Sequence, residues 1–516
     1  MSKKLRLTTF VVLGLAVLFF GILIASNIII KNKIAKFTKD QLPENITANF
    51  EGVSLHLLNG TLTYNDVSVT LQNKSNDTTH TYLSAEKVII EGVSYWDYLF
   101  KKEIHIEDIK IKSPIIQYYK NLLVVAKDST KPKAFLTLNK PLLVDELSID
   151  NALVTFFDQS KKDTLLHVKD ITVEVDDILV NNSTLNKRLP VDFKNYEAEA
   201  DSIFLKISPF ENLTVGDFKL KNKEAIIDKL HLATKFSKAE HASMLKQERD
   251  HFNVALEQIK VNNIDFGFNN RKFFAKSSLV KLTEVDATIY RNKLVADDPT
   301  TKPLYSKMLR ELPIDLTVDS LSIENSAITY QEKVKEDQPA GTIYFDNFQA
   351  KLSNVSNTYG EELKTRIVID SRFMHSAPLH VDWDFDVNST ADDFTFKAEL
   401  GMLPANEMNS FTKPNLLVEL EGETQKTYLS IYGNASESEI NMRMKYDHFK
   451  VEILRDNGKK QSKLLSGLLN IFVKKDSNSS TSGFSECSAT VTPDRTKSFF
   501  NYLWLNISGA LKDCLL

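Results

Sequence analysis

Four side chains on one short stretch have the residue types that metal chemistry uses. In "PLHVDWDFDV" (378–387), His380, Asp382, Asp384 and Asp386 occupy alternate positions. An imidazole with three carboxylates is a serviceable donor set for a divalent cation. In a strand, however, alternate residues stand about 6.7 Å apart, too far for all four to close on one ion. The row reads as the wet face of a strand. Its other face carries Val381, Trp383, Phe385 and Val387, and those side chains need cover.

A second set of acids recurs along the chain: Glu107, Asp145, Glu257 and Asp319. Each follows an apolar pair, respectively Ile104/Ile106, Leu142/Val144, Val254/Leu256 and Leu316/Val318. After the acid the alternation shifts by one, and a second apolar pair appears: Ile109/Ile111, Leu147/Ile149, Ile259/Val261 and Leu321/Ile323. One extra residue restores an apolar row to its original face, as a β-bulge does. An acid there is a solvated bulge that discourages edge pairing, not a general acid. A Ser or Asn follows (Ser113, Asn151, Asn263, Asn325), and five positions later an aromatic (Tyr118, Phe156, Phe268, Tyr330). The pattern predicts strand, bulge, strand, turn, return strand. A weaker fifth copy begins at Leu213, with Gly216 in place of the acid and Asn222 at the turn position. The unequal intervals exclude a strict solenoid and predict a meandering sheet with insertions.

No catalytic motif accompanies these strands. There is no Walker A loop, GxSxG elbow, HExxH or CxxC, and the ten histidines are scattered. The sequence therefore predicts no catalytic residues, no metal site, no cofactor and no enzyme activity. A formal net charge of −4 without a basic tract argues against a nucleic-acid partner. Cys487 and Cys514 can pair in an oxidising compartment or remain as two thiols, and the sequence leaves both open.

Helical patterning is confined to a few segments. "KAEHASMLKQERDHF" (238–252) and "PLYSKMLREL" (303–312) read as short helical insertions. "SKLLSGLLNIF" (462–472) and the C-terminal segment around Phe499–Leu511 read as amphipathic helices, joined by a polar linker over 474–483. Phe499, Phe500, Leu503 and Trp504 form an aromatic face flanked by Lys497 and Lys512. That composition suits membrane contact, and a plug against the last strand fits it equally.

"FVVLGLAVLFFGILIASNIII" (10–30) carries no charge and is long enough to cross a bilayer. It continues apolar past Ala25 and Ser26, so it reads as an uncleaved anchor rather than a signal peptide. The expected organisation is a cytoplasmic N-terminus (1–9), a transmembrane helix (10–30), an exported β-rich region (31–460) and a C-terminal helical region (461–516).

The anchor, "IKIKSPIIQYY", "LSIDNALVTFFD" and "MLRELPIDLTVDSLSIENSAITYQE" followed by "AGTIYFDNFQAKLSNV" together resemble the AsmA-like proteins of Gram-negative envelopes. "DRTKSFFNYLWLNISGALKD" is similar to the tail of shorter Bacteroidetes-type members. The resemblance implies a single-pass inner-membrane protein with a large periplasmic domain serving envelope biogenesis. It implies an elongated, curved antiparallel sheet forming an open hydrophobic groove, with phospholipid or another acyl lipid carried in it. On that expectation Val381, Trp383, Phe385, Phe394 and Phe396 line the groove, and an outer-membrane or periplasmic protein is a further partner. The alternative is an anchored adaptor with a closed β core that binds another envelope protein.

Overall fold

A computed structural model describes residues 44–515, except 57–59, 74–75, 123–137, 160–162, 188, 270–271, 361–362 and 455–482. The expected anchor (10–30), the N-terminus before it, the helix at 462–472 and the linker over 474–482 lie outside the described residues. Among the described residues no helix is long and apolar enough to cross a membrane. The described chain is mainly β, with 23 strands in one large mixed sheet, and it divides into two compact units at Lys229/Leu230.

The first unit carries β1 (Ile46–Asn49), β2 (Gly52–His56), β3 (Thr61–Gln72), β4 (Thr79–Glu91), β5 (Ile104–Lys112) and β6 (Ile115–Tyr119). These are followed by β7 (Leu142–Phe157), β8 (Thr164–Val180), β9 (Tyr196–Lys206) and β10 (Glu211–Lys221), and β11 (Glu224–Thr234) straddles the division. The first two copies of the repeat lie side by side, parallel and in register. Ile104 faces Leu142, Ile106 faces Val144, Ile109 faces Leu147 and Ile111 faces Ile149. All eight are buried in one core, each worth about 1.5–3 kcal/mol over an exposed position.

The second unit begins with α1 (Lys238–Met244) and continues through β12 (Asp250–Asn262), β13 (Asp265–Asn269), β14 (Lys272–Asn292), α2 (Tyr305–Arg310), β15 (Asp315–Lys333) and β16 (Gly341–Ser356). Then come β17 (Thr365–Phe373), β18 (Ala377–Phe385), β19 (Phe394–Leu400), β20 (Leu403–Pro404) and α3 (Asn409–Leu416). The chain closes with β21 (Val418–Gly433), β22 (Ser438–Ile453), β23 (Ser485–Val491) and α4 (Phe499–Leu515).

Five expectations are corrected. The sheet is mixed rather than antiparallel, because β5 and β6 run parallel to β7, and β14 runs parallel to β15. The supposed turn residues do not reverse the chain. Ser113, Asn151, Asn263 and Asn325 have φ of 49–54°, and the strand continues forward through each kink. Asn151 lies inside β7 and Asn325 inside β15, while β6 follows β5 along the same partner strand. Of the expected turn residues, only Asn222 sits between two separate strands with a second left-handed residue, Lys223, beside it.

The helix expected over 238–252 ends at Met244, and Asp250 already pairs with Arg291 in the sheet. Ser237 and Glu240 form its capping box, so the start was legible while the end is set by tertiary pairing. The C-terminal region is not wholly helical, since β23 pairs antiparallel with β22.

The recurring acid interrupts the ladder, but not as the expected bulge: a single residue stands opposite each acid, and the register shifts fall instead around Asn151 and Asn325. Opposite Glu107, Asp145, Glu257 and Asp319 in the antiparallel neighbour stand Gly92, Asp177, Glu284 and Asn354, all with φ between 53° and 66°. A Cβ at Gly92, at φ 66°, would displace the Glu107 side chain from its present position.

Candidate functional site

The matched interruptions keep apolar side chains on one face of the second unit, from strand to strand. One rung runs Ile259, Leu282, Ile323, Ala350, Ile369, Val381, Ala398, Leu429, Met442 and Cys487, each facing the next across the ladder. The next runs Val261, Val280, Leu321, Leu352, Ile367, Trp383, Phe396, Ile431, Ile440 and Ala489. Each crosses ten strands, which at about 4.8 Å spacing is a strip roughly 45 Å wide.

The reverse face of the same strands is polar. Asp382 takes both nitrogens of the Arg366 fork at 3.0 and 2.6 Å, Lys364 bonds Asp384 at 3.1 Å, and His380 bonds Asp370 at 2.7 Å. The Arg366 guanidinium holds the Asp382 carboxyl below its ordinary range. These partners explain the acidic row without a cation. Among the described residues no group of three or more His, Cys, Asp or Glu is arranged to hold a metal.

One end of the apolar strip is closed by the chain itself. Trp383 stacks on Phe499 of α4, 4.7 Å between ring centroids, and Phe394 meets Phe499 and Tyr502 edge-on at 5.1 and 5.8 Å. Val381, Trp383, Phe385 and Phe394 are buried in this core, and Phe396 packs against it. Five of the surrounding aromatic and apolar side chains, with Asp392 and Leu304, leave a gap of about 10 Å³, at most the room of one water molecule. No acyl chain fits beside the groove candidates in this arrangement.

The predicted aromatic face of α4 is split. Phe499 and Leu503 are buried, whereas Phe500 and Trp504 stay exposed at 62% and 39%. The buried stripe is Phe499, Tyr502, Leu503, Asn506, Ala510 and Cys514, at helical spacing. A polar residue in that stripe was easy to miss. Asn506 is satisfied there, accepting from Ser438 at 2.9 Å and donating to the Tyr502 carbonyl at 2.9 Å.

Cover is fastened at several points. Cys514 and Cys487 form a disulfide with their Cα atoms 5.2 Å apart, tying the end of α4 to β23. Before α4, Lys497 reaches Glu248 at 3.2 Å and Asp297 at 2.8 Å, while Lys293 bonds Glu248 at 2.6 Å. Burial pushes Glu248 up, but the two ammonium groups outweigh it and hold its carboxyl below the ordinary range. On the other flank Arg310 of α2 bonds the Val387 and Ser389 carbonyls and Asp392.

The other end of the strip has no such cover. Ile259, Val261, Val280, Leu282, Leu321 and Ile323, on β12, β14 and β15, are all half-exposed and belong to no buried core among the described residues. The sequence repeat contains Ile259, Val261, Leu321 and Ile323. Val280 and Leu282 were missed because the β14 copy lacks the acid and the aromatic that mark the others. Their signal is the alternation in "SLVKL".

Neither a family model nor a curated relative matches the chain.

Proposed function

We propose that the chain is a membrane-anchored envelope protein that holds acyl chains of phospholipid, or of a similar lipid, against the uncovered apolar face of β12, β14 and β15. The observation that carries the reading is the loss of cover along two continuous apolar rungs. Those rungs are closed by α4 over β18 and β19 and half-exposed at Leu282, Leu321 and Ile323. An acyl tail laid across them would gain about 0.8 kcal/mol per buried CH₂, on the order of 12 kcal/mol for sixteen carbons. Such binding needs van der Waals contact and exclusion of water, and no reacting group.

Three features support the setting. The uncharged stretch 10–30 is long enough to anchor the chain, and the Cys487–Cys514 disulfide suits an oxidising compartment such as the periplasm. The repeated apolar pattern in the sequence is the one that resembles AsmA-like proteins.

The test is mass spectrometry of the full chain purified from membranes and transferred to a lipid-free amphipol. Stoichiometric phospholipid that survives washing supports the reading. Its absence, with a stoichiometric protein recovered instead, would favour the anchored adaptor, a reading that the sealed core under α4 also supports.

A further inference from the structure

The first unit exposes an apolar knuckle that no core absorbs. Between β4 and β5, residues Asp97–Lys101 form one wide helical turn, and Trp96, Leu99 and Phe100 stand 65%, 67% and 66% exposed. The rings of Trp96 and Phe100 lie 4.1 Å apart, so the three side chains make one projecting patch. Exposed clusters of this kind mark docking surfaces.

The turn is held rigidly in a position that keeps those side chains out. The Asp97 carboxylate is buried beneath them, bonded to Lys101 at 2.8 Å and to His105 at 2.8 Å. His105 in turn bonds Asp145, the recurring acid of β7, at 2.9 Å. Ser94 Oγ accepts from the Asp97 amide at 3.2 Å, and Lys102 closes the turn in the left-handed conformation. Lys140 lies 3.3 Å from the centre of the Tyr98 ring.

We infer that this knuckle docks on an anionic bilayer surface, with Trp96, Leu99 and Phe100 entering the headgroup–acyl boundary and Lys102 meeting lipid phosphates, while Lys101 stays paired with Asp97. Aromatic and aliphatic side chains flanked by lysines are the composition that settles at a membrane interface. Chain length allows it. Fifteen residues separate Ile30 from Ile46 and reach at most about 50 Å. The knuckle sits at the far end of β3, where Val93 bonds Gly60, about 35 Å from the pairing of Ile46 with Leu71. An anchored chain can therefore set the knuckle on the bilayer that holds its anchor. The inference rests on the proposed anchor at 10–30.

The test uses the full chain in vesicles of phosphatidylcholine and phosphatidylglycerol whose acyl chains carry bromine. Trp504→Phe leaves Trp96 and the buried Trp383, and subtracting the Trp96→Phe/Trp504→Phe variant isolates the Trp96 signal. Bromolipid should quench that signal by roughly half or more, and Leu99→Glu with Phe100→Glu should abolish most of the quenching. Unchanged amide protection over β3–β8 in the glutamate variant verifies that the first unit folds. Vesicle-bound protein with unquenched Trp96 would overturn the docking surface alone and leave the knuckle to a protein partner. Failure to float with vesicles would overturn the anchor and the docking surface together.

Discussion

The indole of Trp383 lies flat on the ring of Phe499, with 10° between the planes and 4.7 Å between the centroids. This stack couples the middle of β18 to the first turn of α4 and decides which part of the apolar face is closed. Removing it through Phe499→Ala should cost about 3–5 kcal/mol, from lost burial plus the cavity left behind. The neighbouring Phe500→Ala should stay within about 0.5 kcal/mol, because Phe500 is exposed. Denaturant unfolding followed by Trp383 emission measures both. Equal effects would mean that α4 does not pack as described.

The disulfide should hold the far end of the same helix. It closes a segment of 27 residues, for which chain-entropy arguments give about 3.5 kcal/mol. Cys487→Ser with Cys514→Ser should lower the melting temperature of the second unit and speed amide exchange in α4 and β23 first. Uniform exchange across all strands would contradict a fastening role.

Much of this was legible in the sequence, and the limits were physical. Alternation with a one-residue slip identified the strands, because that slip is what keeps Ile106 and Ile109 on one face, but the slip is matched in the partner strand and is not a bulge. The kinks at Asn151 and Asn325 were read as reversals because Asn at φ near 52° serves a hairpin and a forward kink alike. Only pairing with a third strand separates the two. Trp383 was correctly seen to need cover, but what covers it lies 116 residues downstream, beyond the reach of local periodicity. The knuckle at 96–100 was passed over because its helical spacing, Trp96, Leu99 and Phe100, spans a single turn, too short to stand out as a helix.

The kinks make a direct prediction. At Asn325 a β-branched residue must adopt left-handed backbone, so Asn325→Val should destabilise by about 1–2 kcal/mol, while Asn325→Gly should be neutral or better. Chemical denaturation of the two variants settles it. Equal tolerance of valine and glycine would show that the strand does not kink there.

His105 gives the first unit a pH dependence. Both ring nitrogens meet carboxylates, so the bridge needs the protonated ring, and its pKa is raised, chiefly by Asp145 against the cost of burial, then by Asp97. Because the folded pKa lies above the ordinary 6.5, the stabilisation is fully present below that value and is lost as pH rises through the raised one. Asp97 sits at about 2, held down by Lys101 and then His105, so its own contribution persists until strong acid. Amide protection over 96–102, corrected for intrinsic exchange, should fall as pH rises above the ordinary 6.5, and should not in His105→Leu. A flat profile in the native chain would remove the bridge.

The measurement that tests the lipid reading most directly is paired photo-crosslinking. Benzoylphenylalanine is placed at Leu321 or at Trp383 in the full chain, irradiated in membranes and analysed by mass. Leu321 should yield phospholipid adducts, because its end of the rung is uncovered, and Trp383, on the same rung, should yield none, because Phe499 seals it. No adduct at Leu321, or equal adducts at both positions, would contradict the account.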